Sequence, residues 1–363
     1  MSIAIGEDHL ALLDTVRRFT TSRCSPKVVR AAVDAEIEQL PPFWDDLVGL
    51  GWLGLHLPEA VGGEGYGFAA GPLGHGCAYR RALFSRGGDL ACEPMPIHYE
   101  QVGGHVARIT IDRPEARNAL DLHHFRDLAN AWRRFRDDPD DWVAVVTGVD
   151  GNFMVGADLK TYIPQITELQ QQISAGTVDE IDGCKLRDGT DAVLRSLKIY
   201  KPIIAAVDGP CVAGGMEMLG GIDIRIATER ATFGVMEPKR GLFAGGGTTV
   251  RLPRQLAYPA AMEFLLTAEA FPASRALELG LLNEIVAEDA LAERALWWAG
   301  RITANAPLAV QATKESVLRG LAVDQREAYK IESELAGKIF SSQDAKEGPT
   351  AFAEKRDPVW KGQ

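Results

Sequence analysis

At 363 residues, 46% of them hydrophobic, the chain exceeds one average domain and can bury a sizeable core, so two domains are the prior. Its formal net charge of −11 argues against nucleic acid or an anionic membrane surface as a partner, since neither would attract it. Five cysteines (Cys24, Cys77, Cys92, Cys184 and Cys211) include no C-x-x-C pair and form an odd set, so no metal site or disulfide framework is signalled and a reducing compartment fits. No basic-plus-apolar leader and no run of about 18 apolar residues is present, so a soluble, cytoplasmic protein is expected.

In chain order, residues 8–34 have helical periodicity, with Leu10, Leu13, Val16 and Phe19 on one face. Pro41 and Pro42 interrupt it, and residues 43–50 restart a helix that stops at Gly51. Residues 51–65 read GWLGLHLPEAVGGEG. That stretch, with the helices before it, resembles the N-terminal helical domain of acyl-CoA dehydrogenases. The likeness covers about 70 residues and leaves no room for the domains that hold flavin and the catalytic base in those enzymes. It therefore implies a module without redox activity, a docking or oligomerisation element, and no FAD is expected. Residues 67–100 mix Gly, Arg, Cys and Pro without periodicity and are expected to be a linker. His75 and His98 lie there without metal-ligand spacing and are expected to be solvated or hydrogen-bonded.

A second domain opens with alternation over residues 106–111, a strand, followed by the turn DRPEARNAL at 112–120. Residues 122–135 form an amphipathic helix, 137–141 an acidic turn, and 142–147 a buried strand ending at Gly148, which together make an α/β unit. The loop after it carries NFMVGADLK, residues 152–160. Residues 162–200 lack a strong pattern and are expected to shape a pocket or act as a lid, with Ile163, Ile166, Leu169, Ile173 and Leu194 as candidate specificity residues or as ordinary core.

Residues 201–249 organise the rest. The β-branched run 203–207 lies between Pro202 and the turn Asp208-Gly209-Pro210, the pattern of a buried strand. Gly214 and Gly215 then open a helix whose first N–H groups lack internal partners and suit a developing negative charge. A second strand spans 222–227, and a Gly-rich turn follows at 245–247. Glu217 and Glu237 each stand in a glycine-dense, apolar setting, where a raised pKa and general acid/base work are plausible. An exposed helix residue and a loop carboxylate are the plainer alternatives. Beyond Thr249 the pattern is helical: Leu252-Pro253 is expected to start one helix, and others cover 291–303, 307–318 and 325–340, ahead of EGPTAFAEKR at 347–356. There is no G-x-x-x-x-G-K-[ST] and no G-x-G-x-x-G after a strand.

The strand, the glycine pair, Glu217, and Glu237 twenty residues further on (237 − 217 = 20) resemble the signature of the crotonase (enoyl-CoA hydratase/isomerase) superfamily. Cys211 and Ala213 are the departures from it, and the likeness runs from about Gly104 to Lys361. The resemblance implies an α/β fold with a crotonase-like ββα spiral core and a C-terminal helical assembly region, behind a small, mostly α-helical N-terminal segment. The expected domains are 1–70, a 71–100 linker, a 101–290 core and a 291–363 trimerisation region.

By the same resemblance, Glu217 and Glu237 are catalytic and the amides of Ala157 and Gly214 form an oxyanion hole. Arg117, Ala119, Gly156, Asp158, Leu159, Lys160, Gly215 and Gly245 would contact coenzyme A, which is part of the substrate and not a cofactor. The family often has Lys where Glu115 stands; Arg117 could supply that charge, or be simply exposed, and Lys160 likewise could be solvated. The implied activity is enoyl-CoA hydration, or the reverse dehydration, by a homotrimer or dimer of trimers. A double-bond isomerase and a non-catalytic CoA-binding or scaffold subunit are the alternatives.

Overall fold

The computed structural model describes residues 96–176 and 178–363. The expectations for residues 1–95, including the helical opening and His75, lie outside the described residues. The chain divides into two units, 1–94 and 95–363, and the described residues all belong to the second.

The element order is β1 (Ile97–Gln101), β2 (Val106–Ile111), α1 (Leu122–Asp137), β3 (Val143–Gly148), α2 (Tyr162–Ser174), α3 (Leu186–Ala192), β4 (Ile203–Val207), β5 (Pro210–Val212), α4 (Gly214–Leu219), β6 (Ile224–Thr228) and β7 (Thr232–Gly234). A 3₁₀ turn at Glu237–Arg240 leads to α5 (Thr248–Gln255), α6 (Tyr258–Thr267), β8 (Phe271–Pro272), α7 (Ala273–Glu278) and β9 (Glu284–Val286). Four helices complete the chain: α8 (Leu291–Thr303), α9 (Pro307–Gly320), α10 (Gln325–Phe340) and α11 (Asp344–Glu354).

Six strands form one sheet in the order β1-β2-β3-β4-β6-β9, and β5-β7-β8 form a second. The first sheet is parallel except for β1, which pairs antiparallel with β2. Every residue of β4 is buried, as expected of a central parallel strand covered on both faces. The strand period of two divides its side chains between two cores. Ile203, Ala205 and Val207, with Ala144 and Val146 of β3, join the larger core that α1 and α4 complete. Ile204 and Ala206, with Val143 and Val145, meet Leu291, Ala295 and Ala299 of α8, spaced four apart on one helix face. Helix α1 starts where the Asp121 carboxylate accepts the N–H groups of His123 and His124, and it buries Leu122, Phe125, Leu128, Ala129, Trp132 and Phe135 along one stripe.

Three details differ from the sequence expectations. The end of the linker is strand β1, a half-buried edge whose alternation is masked by the prolines and glycines before it; its His98 pairs with Asp112 at 2.9 Å. Residues 162–200 contain two helices, α2 and α3. Leu252 and Pro253 lie inside α5, which begins at Thr248 straight after the glycine turn. Of the two readings left open for 162–200, Leu169, Ile173 and Leu194 pack in cores, Ile163 lines a cavity, and Ile166 does both. No helix among the described residues is long and apolar enough to cross a membrane.

Candidate active site

Strand β4 ends in a turn fixed by Asp208, whose carboxylate accepts from the Thr228 hydroxyl at 2.8 Å and Arg230 Nε at 2.7 Å. The chain then runs through β5 to Ala213 and into α4. Ala213 stands at φ 49, ψ −119, a region non-glycine residues rarely occupy. Its N–H donates to Gly234 O at 2.9 Å and its carbonyl accepts from Glu217 N–H at 3.0 Å, so both ends of the residue are held. Gly214 is the first residue of α4, and its N–H has no intrahelical acceptor.

The loop after β3 supplies the facing wall. Leu120 N–H donates to Gly156 O and Asp158 N–H donates to Leu120 O, each at 2.8 Å. In that parallel bridge the N–H of the intervening residue, Ala157, is directed away from Leu120. A Cβ on Gly156, whose φ is +92, would lie 2.8 Å from Gly214 N and 2.9 Å from Ala213 Cβ. The two loops can therefore approach only because Gly156 has no side chain. Ala157 and Gly214 consequently share the wall of one cavity, of 740 Å³, with Glu217 and Glu237.

The two carboxylates differ in their surroundings. Glu217, on α4, accepts the N–H of Gly246, and a Cβ on Gly246 would collide with that carboxylate. Burial raises the Glu217 pKa, opposed by the Gly246 N–H and by the charges of Arg195 and Arg251. Glu237, first residue of the 3₁₀ turn, has a buried Oε2 with no hydrogen-bond partner among the described residues. Its pKa is pushed up to about 7, chiefly by burial and further by the charge of Glu217, against a lowering by its own backbone N–H. One acid is thus anchored by a main-chain donor, and the other, its pKa raised towards neutrality, keeps a buried oxygen without a hydrogen-bond partner among the described residues.

A further layer holds Glu217 in place. Arg251 of α5 donates to the carbonyls of Val193 and Glu217 at 3.1 Å and to that of Leu194, while Arg195 donates to Gly245 O at 2.8 Å. Tyr162 adds a phenol to the cavity wall, its ring 4.7 Å from Phe125 and its pKa raised to about 12, by burial first and then by the charges of Glu217 and Asp188. Sequence patterns alone do not single out Gly246, Arg251 or Tyr162. The glycine triplet points towards the first of them, but nothing in the residue order links Arg251 to Glu217.

The other candidates separate by position. Leu159 and Gly245 line the cavity with the four catalytic candidates. Gly156 and Gly215 pack behind the wall, where a Cβ on Gly215 would strike the Met154 carbonyl. Arg117, Ala119, Asp158 and Lys160 do not line the cavity: Arg117 and Lys160 are exposed, the Ala119 carbonyl accepts from Arg113 Nη1 at 2.7 Å, and Asp158 accepts from Arg113 Nη1 at 3.2 Å. No group of three or more His, Cys, Asp or Glu among the described residues could hold a metal ion.

Comparison with known proteins supplies the family. Residues 101–363 match the family described as Enoyl-CoA hydratase/isomerase, and residues 6–95 match the acyl-CoA dehydrogenase N-terminal domain. Enoyl-CoA hydratase EchA19 of Mycobacterium tuberculosis is 41% identical over 261 residues, 70% of this chain and 92% of that protein. The (E)-benzylidenesuccinyl-CoA hydratase of Thauera aromatica is 39% identical over 74% of this chain and 100% of its own. Among solved structures, an enoyl-CoA hydratase from Bacillus anthracis superposes with a TM-score of 0.66 at 29% identity, covering 74% of this chain and 100% of that one. One from M. tuberculosis superposes with a TM-score of 0.64 at 37% identity, covering 74% and 99%. A crotonase-fold body with these glutamates and amides on one cavity, matched over most of its length, makes this chain an enzyme of the enoyl-CoA hydratase/isomerase family.

Proposed function

We propose that the enzyme adds water across the double bond of an α,β-unsaturated acyl-CoA thioester, or removes it from the 3-hydroxyacyl thioester, by syn addition. Support comes from one observation above all: two raised-pKa glutamates and two main-chain donors share a single cavity. Relatives over most of the chain carry hydratase names.

The thioester carbonyl sits on the amides of Ala157 and Gly214. As oxygen adds at Cβ, electron density moves through Cα to that carbonyl, and the two N–H groups hold the enolate oxygen. Each such donor is worth about 3 to 4 kcal/mol of barrier. Glu217, ionised and held through one oxygen by Gly246, orients the water with the other and takes its proton. Glu237, its pKa raised towards neutrality, gives a proton to Cα from the same side. Turnover is completed when one proton passes back from Glu217 to Glu237 across the cavity they share. Arg117 and Lys160, exposed outside the cavity, are the cations proposed for the coenzyme's phosphates, and the working form is proposed to be a homotrimer or a dimer of trimers.

The test is a spectrophotometric assay of enoyl-CoA thioesters at the conjugated-thioester absorbance, with Glu217→Gln and Glu237→Gln beside the native enzyme. Each substitution is expected to lower kcat by about 10²- to 10⁴-fold while thioester binding, followed by calorimetry, is retained. Near-native hydration by either variant would overturn the assignment. Loss of hydration with persistent double-bond migration in Glu217→Gln would show Glu237 acting alone.

A further inference from the structure

The chemistry occupies one wall of the cavity, and the other walls describe the group on which it acts. We infer that the acyl portion of the substrate is a large apolar group, far bulkier than crotonyl, seated between α2 and α3; this rests on the hydratase reading and specifies its substrate class.

Where the thioester lies is fixed by Ala157 and Gly214, and the exposed cations Arg117 and Lys160, proposed for the coenzyme's phosphates, are not among the lining residues. The cavity extends from that seat to α2 and α3, and this reach is the part assigned to the acyl group. The whole cavity, thioester seat included, is 740 Å³, within the range of roughly 300–1,000 Å³ that encloses drug-sized ligands. Its far walls are apolar, with Ile163 and Ile166 from α2 and Leu186 and Val193 from α3 and its end. Among the described residues, the charged side chains on the lining are Glu217, Glu237 and the exposed Arg240.

Two further observations point the same way. Leu159, Ile163, Leu186, Leu242 and Phe243 all line this cavity and are all exposed, Phe243 at 77%. Large apolar side chains gathered round one opening mark a surface that an apolar ligand covers. The wall between α2 and α3 is also shaped by residue choice: Gly189 leaves the Tyr162 phenol its place, since a Cβ there would stand 2.8 Å from the hydroxyl. Any side chain there would displace the phenol or fill the acyl space.

The experiment compares kcat/KM of the full-length enzyme for crotonyl-CoA, trans-2-decenoyl-CoA and cinnamoyl-CoA, with Ile166→Trp and Leu186→Trp as variants that fill the space. Leu186 is on the exposed rim, so at least that variant is expected to fold, which circular dichroism checks. The native enzyme is expected to favour at least one larger thioester over crotonyl-CoA by tenfold or more, since apolar contact in a pocket discriminates by roughly 10- to 200-fold per methylene. A folded variant is expected to shrink that ratio at least tenfold. If crotonyl-CoA is hydrated as well as or better than both larger thioesters, or no folded variant moves the ratio, the inference is overturned and the hydratase reading stands. If none of the three is hydrated, the hydratase reading fails and the inference falls with it.

Discussion

Glu237 combines a raised pKa with an unpartnered buried oxygen, and both rate and stability should report it. In the free enzyme the basic limb of kcat/KM for hydration is expected near pH 7, because the proton donated to Cα is lost above it, while loss of the anion of Glu217 sets the acidic limb. For stability the sign follows from the direction of the shift. The folded-state pKa lies above the ordinary carboxylate value, so the stabilisation is complete in acid and disappears as pH rises through about 7. Glu237→Gln is therefore expected to be more stable than the native enzyme at pH 8 by roughly 2 kcal/mol. The gain should fade below pH ~5, checked by denaturant melts at both values. Ala213 offers a second test. Its left-handed backbone carries a strain of about 1–3 kcal/mol, partly offset in a glycine by extra unfolded-state entropy, so Ala213→Gly is expected to stabilise the fold by about 1 kcal/mol. An unchanged melting temperature would show that the surrounding loops have relaxed to fit the methyl group.

At the scale of elements, the site is a meeting of loops that the sheet alone would not bring together. The glycine turn before α5 both holds the Glu217 carboxylate and leaves it space. Gly246→Ala is expected to lower kcat at least 100-fold, the general acid/base contribution of the displaced group, with the far-ultraviolet dichroism unchanged. Arg251 ties α5 to α4 and to the Leu194 turn through three carbonyls. Arg251→Met would leave buried acceptors unpaired, at about 1–3 kcal/mol each, and a loss of about 3 kcal/mol or more is expected in chemical denaturation.

Legibility in the sequence divides along the same line. Strand β4 and helices α8 and α10 stand out because a fully buried run or an apolar stripe repeats their own period. Helix α2 does not, since it buries only Leu169 and turns much of its surface to the cavity and solvent. Strand β1 is hidden because an edge strand with one covered face needs few apolar residues. The two glutamates can be found by spacing within a familiar signature, but Gly246 and Arg251 act through a tertiary contact that no local pattern encodes.

At the scale of the whole molecule, two bodies of different descent share one chain: residues 6–95 match a dehydrogenase N-terminal domain and 101–363 a hydratase/isomerase. The proposal that the first is redox-silent predicts a purified protein with no absorbance near 450 nm, and a yellow preparation would refute it. On the second body, Val317, Leu318, Leu321, Tyr329, Phe340 and Phe352 of the last helices and their connections are each exposed, as expected if the proposed subunit contacts cover them. Light scattering is expected to give a mass that is a multiple of three protomers.

The close approach of Gly156 and Gly214 has an evolutionary corollary. Where an anion is bound by peptide groups, the genetic code has few ways to tune the binding, and almost any change at those glycines is coarse. Drift and selection are left to act on the opposite helices, where lining side chains such as Ile163, Ile166 and Leu186 can be exchanged without touching the approach of Gly156 to Gly214. New acyl preferences in descendants of this chain should accordingly accumulate as substitutions in residues 162–193, around an unaltered reactive centre.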